Sequence, residues 1–433
     1  MSGTADLETY RAVVAGATLV LLFLSLIFTR LHRAVVALLA CGIVLVLHLA
    51  PFEHLTRHID ANVIMLILSM MIVVAVMRRT GLFQYIAVKC AKLSGGDPLR
   101  LLILLAVVTA VLSAFFDNVT TVLLMSPITL VVCAEFRTSP VPFLVTQALA
   151  SNFGGTATLV GDPPNIMIGS AANLSFNQFI LHLAPLVVIV MAVYAIFLRL
   201  RYRKKVGFAS AIARARLATM DERKSITDKK LLVRGLVVLA FVLVGFLLHN
   251  VLSLEAGVVA LCGAVALLVI SRADIAKILE ELEWTTPIFF ICLYIVVGAA
   301  VEVGLIKKMG EFLFSHTSGN LFISAMLIMW FSAILSAFVS SVPFTAMMIP
   351  VVREFIFTNN IQAGGPFWWA LAIGACFGAN LTLIGAAANV VTAGIAEKAG
   401  YKITFKSFIR EGTPFTLIAL AISSVYIYLR YFM

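Results

Sequence analysis

Charge is scarce in this sequence. Only 12% of its 433 residues are Asp, Glu, Lys or Arg, while 62% are apolar, against about 25% and roughly 45–50% in an ordinary soluble domain. That balance excludes a soluble enzyme and leaves no room for a large aqueous domain. Paired cysteines are missing too. The six (Cys41, Cys90, Cys133, Cys262, Cys292, Cys376) lie singly, with no CxxC spacing, so neither a disulfide framework nor a zinc site is expected. No G-x-x-x-x-G-K-[ST] loop occurs, so the chain is not expected to hydrolyse ATP itself. No metal and no cofactor are expected. The first ten residues carry two acids and no base. A cleavable signal is therefore not expected, and the first apolar run should stay as a membrane helix.

Basic residues are present, but in one place. Of the net charge of +11, the stretch Arg199 to Arg234 supplies +9, from twelve Lys/Arg and three Asp/Glu. A nucleic-acid-binding surface would spread its basic residues among aromatics. A short basic loop between apolar stretches instead marks the cytoplasmic side of a multi-pass protein, here of a bacterial-type inner membrane. The chain length suits about ten crossings of about 20 residues each.

Two pairs of apolar runs stand too close together to be ordinary spans. The runs 100–116 and 119–134 are parted only by Asp117-Asn118, and 321–339 and 342–357 only by Ser340-Ser341. Each pair predicts a re-entrant hairpin, 100–134 and 321–357, with a polar tip at membrane depth. The halves also match at a constant offset of 223. Val35-Val36-Ala37-Leu38 recurs as Val258-Val259-Ala260-Leu261, Leu112-Ser113-Ala114-Phe115 as Leu335-Ser336-Ala337-Phe338, and Pro127 as Pro350. One residue later in offset, Phe153-Gly154 pairs with Phe377-Gly378 and Asn165 with Asn389.

The fold class expected is an all-α polytopic membrane protein of two repeats, 1–198 and 231–433, around a basic cytoplasmic loop 199–230. Five full crossings and one hairpin per half would invert the second repeat, as in secondary transporters. With the region 199–234 inside, Arg30 to Arg33, Arg78, Arg79 and Lys398 to Arg410 fall inside as well. Both termini then lie outside, and Lys307, Lys308 and Arg430 are the exceptions to the positive-inside rule.

The chemistry is expected where polar groups interrupt apolar sequence. Asp117 has more than ten uncharged residues on either side. A carboxyl at that depth costs about 2.5–3.5 kcal/mol to insert, which marks it as a candidate proton carrier. A hydrogen bond closing the hairpin tip is the plainer reading. Asn118 and Thr120 beside it can bind a polar solute or complete backbone hydrogen bonds. Ser151 to Asn165 holds Gly154, Gly155, Gly161, Pro163 and Pro164, which should break the helix 141–172. Gly378 and Gly385 should break 366–396 in the same way. Such unwound segments place ligand-binding groups near the bilayer midplane. Asp162 is a second candidate proton site or a helix cap. Thr156, Thr158, Asn165, Ser340, Ser341, Asn380, Thr382 and Asn389 complete the candidate solute-binding set. His48, His182, His249 and His316, near span ends, read as interfacial.

The stretches FFDNVTTVLLMSPITL, GGTATLVGDPPNIMIGS and LIGAAANVVTAGIAEKAGY resemble signature segments of the ion transporter superfamily. The resemblance is nearest to its branch of ArsB arsenite permeases, the pigmentation P protein and NhaD-type antiporters. It implies inverted repeats, a transport unit of hairpins and broken helices moving against a scaffold in an elevator-like cycle, and a homodimer. It also allows a cytosolic ATPase partner. In the dicarboxylate branch, Ser-Asn-Thr tips bind sodium and substrate. Here Asn118 and Thr120 match that pattern, while Asp117 stands where serine would.

Arsenite is an uncharged trihydroxide near neutral pH, and neutral hydroxyl and amide groups suit it. The function expected is proton-coupled efflux of arsenite or antimonite, with H+ or else Na+ as coupling ion. A sodium/proton or organic-anion antiporter is the alternative. An intramembrane aspartyl protease using Asp117 and Asp162 is a remote one, because Leu159 replaces the first glycine of its GxGD motif.

Overall fold

A computed structural model describes residues 2–29, 31–203, 222–272, 274–314, 320–361 and 365–433. Arg30, His316 and most of the basic loop lie outside the described residues. Within them the chain is helical, with no strand. The first half forms α1 (Ser2–Phe28), α2 (Arg33–Val46), α3 (Phe52–Arg57), α4 (Ala61–Arg78), α5 (Leu82–Leu93), α6 (Pro98–Ser113), α7 (Asn118–Phe136), α8 (Val141–Gly155), α9 (Pro163–Ala172) and α10 (Phe176–Tyr202). The second forms α11 (Lys229–Leu248), α12 (Ala256–Ser271), α13 (Ile275–Glu281), α14 (Thr285–Glu302), α15 (Leu305–Phe314), α16 (Leu321–Val339), α17 (Ser341–Thr358), α18 (Pro366–Gly378), α19 (Ala387–Lys398) and α20 (Phe405–Tyr431).

Nine of the described helices are long and apolar enough to cross a membrane. Three of these, α7, α16 and α17, are hairpin arms. The other six are joined as crossings by the short α2 and α12 and by two helices assembled from pieces, α8 with α9 and α18 with α19. At 1.5 Å per residue, neither piece of a broken helix spans a hydrocarbon core of about 30 Å alone. The outermost helices turn apolar side chains outward, such as Phe28 at 79% and Phe241 at 73% exposure. That is the arrangement expected where the solvent is lipid.

The 223-residue register is a register of packing as well as of sequence. α2 packs on α14 and its equivalent α12 on α4; α5 packs on α7 and α15 on α17; α6 packs on α8 and α16 on α18. The turns before α5 and α15 both use a left-handed glycine, Gly81 at φ 80° and Gly304 at φ 71°. The halves also interlock. α19 lies against α7 of the first hairpin, and α9 against α17 of the second.

α10 runs on to Tyr202, so Arg199 and Arg201 of the basic segment lie on its last turn. The far end of the segment is not simply solvated. Glu222–Ser225 forms a 3-10 turn against α5, held by Lys92 Nζ to Glu222 Oε2 at 2.5 Å and by Thr227 N to Thr80 O at 3.0 Å. Asp228 then caps α11 by accepting from Leu231 N.

Candidate functional site

Both hairpin tips and both helix breaks meet at one small chamber of about 50 Å³. It is lined by Asp117, Asn118 and Thr120 of the first tip, Asp162 and Pro163 of the first break, and Ser340 and Ser341 of the second tip. α7, α9, α17 and α19 all begin here, so four helix N-termini present partial positive charge to a space that holds the acids Asp117 and Asp162, with Glu283 also on its wall. The second tip is backbone-strained, since Ser340 sits at φ 80° without being glycine.

The two acids have different partners. Asp117 caps α7, accepting from Thr120 N at 3.0 Å and from the Thr120 hydroxyl. Asp162 occupies the cap position of α9 but makes no side-chain cap. It is 2% exposed and accepts instead from Asn118 Nδ2 at 3.2 Å. Asp117 thus makes the tip-closing hydrogen bonds of its plainer reading, whereas Asp162 makes no cap and faces the polar interior.

From Asp162 a chain of amides runs through the centre of the molecule. Asn118 Nδ2 also donates to Asn152 Oδ1 at 2.9 Å, and Asn152 Nδ2 donates to Asn380 Oδ1 at 2.7 Å and Asn389 Oδ1 at 3.1 Å. Asn380 in turn donates to Leu149 O. Asn152 was missed in the sequence because its mate at offset 224 is Cys376, so the repeat gave no second asparagine. The equivalence is nevertheless present in space. Cys376 Sγ approaches Asn165 Oδ1 at 3.6 Å as Asn152 approaches Asn389. Phe153 and Phe377, also mates, stack edge to face with ring centroids 5.0 Å apart.

Several candidate solute-binding side chains are engaged by backbone instead. Asn165 donates to the carbonyls of Gly155, Thr156 and Thr158, and Asn389 to those of Ala379 and Thr382. Each amide replaces the helical partners that a break leaves open. Thr156 bonds Asn152 O, Thr158 bonds Ala114 O, and Thr382 bonds Ala337 O. These five residues hold the breaks and do not line the chamber.

The glycines need a finer account than helix breaking. α8 continues through Gly154 to Gly155. Gly154 is required by the close approach of α6, since a Cβ there would lie 2.1 Å from Ala110 O. Gly378 meets Ala333 in the same way. The breaks proper are pinched at Gly161 against Gly155 O and at Gly385 against Ala379 O. Pro163 and Pro164 begin α9, where a missing N–H costs nothing.

α2 and the start of α14 contribute residues that the sequence reading left aside. Arg33, Glu283 and Thr286 line the chamber. Arg33 and Glu283 also line a wider vestibule of about 440 Å³ between α1, the second tip and α19. In the sequence Arg33 counted only as a charge on the inner side, and Glu283 was not singled out.

A profile described as Citrate transporter matches residues 23–374. The chain belongs to the citrate transporter family. This family falls within the ion transporter superfamily that the motifs resemble. Relatives include an uncharacterized transporter of Mycobacterium tuberculosis, 42% identical over 97% of this chain and 99% of its own length. The P protein of Homo sapiens is 32% identical over 96% of this chain and 60% of that longer protein. Among solved structures, the YdaH transporter of Alcanivorax borkumensis aligns over 98% of this chain and 97% of its own, with a TM-score of 0.60 at 15% identity. MtrF of Neisseria gonorrhoeae aligns over 90% of this chain and 85% of its own at 0.57 and 11%. At such identities the likeness is one of fold. A multi-pass membrane transporter follows from the family and the helices together.

Proposed function

We propose that the chain couples proton movement at Asp117 and Asp162 to the efflux of a small uncharged polyhydroxy solute, arsenite or antimonite, by alternating access. The observation that carries this reading is the pair of carboxyl groups in a chamber whose other tip residues are neutral. Asn118 touches Asp162 directly and stands beside Asp117 in the chain. A proton lost or gained at one acid therefore alters the polarity of the whole space. With both acids ionised the chamber suits a neutral solute or a cation and repels an anion. Its volume holds a few waters, on the scale of a small trihydroxide. Solute contacts narrow to Asn118, Thr120, Ser340 and Ser341, which line the chamber, with Asn380 set behind them in the amide chain.

In the cycle proposed, the interlocked hairpins and broken helices move as one body against α2, α4, α12 and α14. The repeats are inverted, the region 199–234 lies in the cytoplasm, both termini lie outside, and the unit is a homodimer that a cytosolic ATPase can join. The Arg33 vestibule then opens on the cytoplasmic side, where the solute enters.

A second reading, an organic-anion transporter, is favoured by the family's description and by the Arg33 guanidinium on the chamber wall. Proteoliposomes separate the two. Under an inward-acid gradient, arsenite accumulates in everted vesicles, and Asp117→Asn abolishes the accumulation. Uptake of citrate without arsenite supports the second reading. Unimpaired arsenite accumulation by Asp117→Asn refutes the role of Asp117.

A further inference from the structure

Glu283 stands between the vestibule and the acids, lining both spaces. Its contacts fall on one oxygen. Arg33 Nη2 donates to Glu283 Oε1 at 2.9 Å, and Thr285 Oγ1 does so at 3.4 Å. Oε2 has no partner among the described residues. Arg33 is itself fixed, by Thr286 Oγ1 at 2.9 Å and by the Phe289 ring 5.8 Å from its guanidinium carbon. One Glu283 oxygen is thus anchored by a fixed cation while the other is left open where the chamber and the vestibule meet.

The remaining surroundings sharpen this. Asp117 faces Glu283 across the chamber from the first tip, and the two carboxylates repel. His32 lines the vestibule beside Arg33. Two residues earlier, Glu281 is paired with Arg79 at 2.8 Å and is turned to α4. The second tip presents only Ser340, Ser341 and apolar groups. Among the described residues, Glu283 is therefore the carboxylate that lines both the vestibule and the chamber holding Asp117. Its side chain is 38% exposed, whereas Asp162 at the inner end is sealed. In the repeat register Glu283 is the mate of Asp60, which caps α4 by accepting from Val63 N. Glu283 makes no such cap, so the helix start does not account for it.

We propose that Glu283 is a positioning residue for coupling, a proton relay between the vestibule and Asp117; this rests on the proton-coupled reading above. Glu283 takes a proton from a hydronium ion in the vestibule, which is left as water, and passes it through chamber water to the Asp117 carboxylate. Glu283 returns to its carboxylate form against Arg33, and Asp117 becomes neutral. No other bond changes and no electron moves. On the return half-cycle the same steps run backwards.

The test uses full-length protein in liposomes with a trapped pH dye and arsenite as the applied solute. Arsenite-linked proton flux is read across pH beside arsenite exchange at equal pH on both sides. A relay predicts that Glu283→Gln lowers the proton flux by about tenfold or more and flattens its pH profile. Exchange should fall far less, and Glu283→Asp should restore most of the flux. Equal loss of flux and exchange, or unchanged flux, overturns the relay while leaving the transport reading intact. Wild-type protein that moves no protons with arsenite overturns the transport reading itself, and the relay with it. If Glu283→Gln is not recovered folded, the pH profile of Glu283→Asp decides: a displaced profile supports the relay and an unchanged one overturns it.

Discussion

Replacing Gly154 with alanine puts a methyl group where the backbone of α6 already lies. The added carbon would stand 2.1 Å from Ala110 O, 2.4 Å from Ala110 Cα and 2.6 Å from Ala110 C. Since all three are backbone atoms, no rotamer relieves the clash, and α6 and α8 must part by about 1 Å to restore van der Waals contact. In a membrane, close packing of small residues is a main source of helix association, so the separation loses contacts along the pair. Overpacking of this kind costs about 1–3 kcal/mol. Alanine's better helix propensity returns about 1 kcal/mol at most, which leaves a net loss of about 1 kcal/mol, and up to about 2 where the pair cannot relax. Gly378→Ala should behave alike, its Cβ falling 2.3 Å from Ala333 Cα and O. Gly394→Ala is the control, with nothing within 4 Å of the new carbon. Apparent melting in detergent, followed by size-exclusion chromatography, should fall by a few degrees for the first two and hold or rise for the third. Equal melting of Gly154→Ala and Gly394→Ala would refute the claim that α6 and α8 are in backbone contact.

Asn152→Leu keeps the volume but leaves Asn380 Oδ1, Asn389 Oδ1 and one Asn118 N–H without a partner. Hydrogen bonds within membranes average about 0.6 kcal/mol, while stranded buried groups cost about 1–3 kcal/mol each. A loss of about 2–4 kcal/mol in stability is expected, read as a lowered melting point, and transport should fail with it. The Lys92 ammonium beside Glu222 holds that carboxyl below the ordinary glutamate value. Docking of the turn at 222–225 is therefore at full strength above that value and weakens only as pH falls below it. Hydrogen exchange at 222–228 should stay slow through mild acid and quicken below it; quickening already near neutral pH would contradict the pairing.

The architecture was readable because its interruptions are chemically loud. Asp117-Asn118 and Ser340-Ser341 between apolar runs gave the hairpins, Pro163-Pro164 gave the start of α9, and the repeat register gave the packing partners. What each polar side chain faces was not readable. When both faces of a helix are apolar, sequence carries no helical phase, so nothing distinguished Asn118, which lines the chamber, from Asn165, which completes a backbone. Thr156, Thr158 and Thr382 fell on the structural side for the same reason. Arg33 and Glu283 were hidden by position, since charges beside span ends are usually anchors. Gly154 was assigned to the break because a glycine needed by a neighbouring helix looks the same in one dimension.

The interlock of the two halves bears on how the protein is made. Asn152 finds Asn389 only across 237 residues of later chain, and α7 rests on α19. A nascent first half, already threaded into the bilayer, therefore holds Asn152 without its acceptors Asn380 and Asn389, and α7 without its cover, until α19 has been made. During that interval its polar tip must be shielded by insertion machinery or by water drawn into the membrane. Mutations in α19 are thus expected to be felt as faults of biogenesis in the first half, long before any question of transport arises.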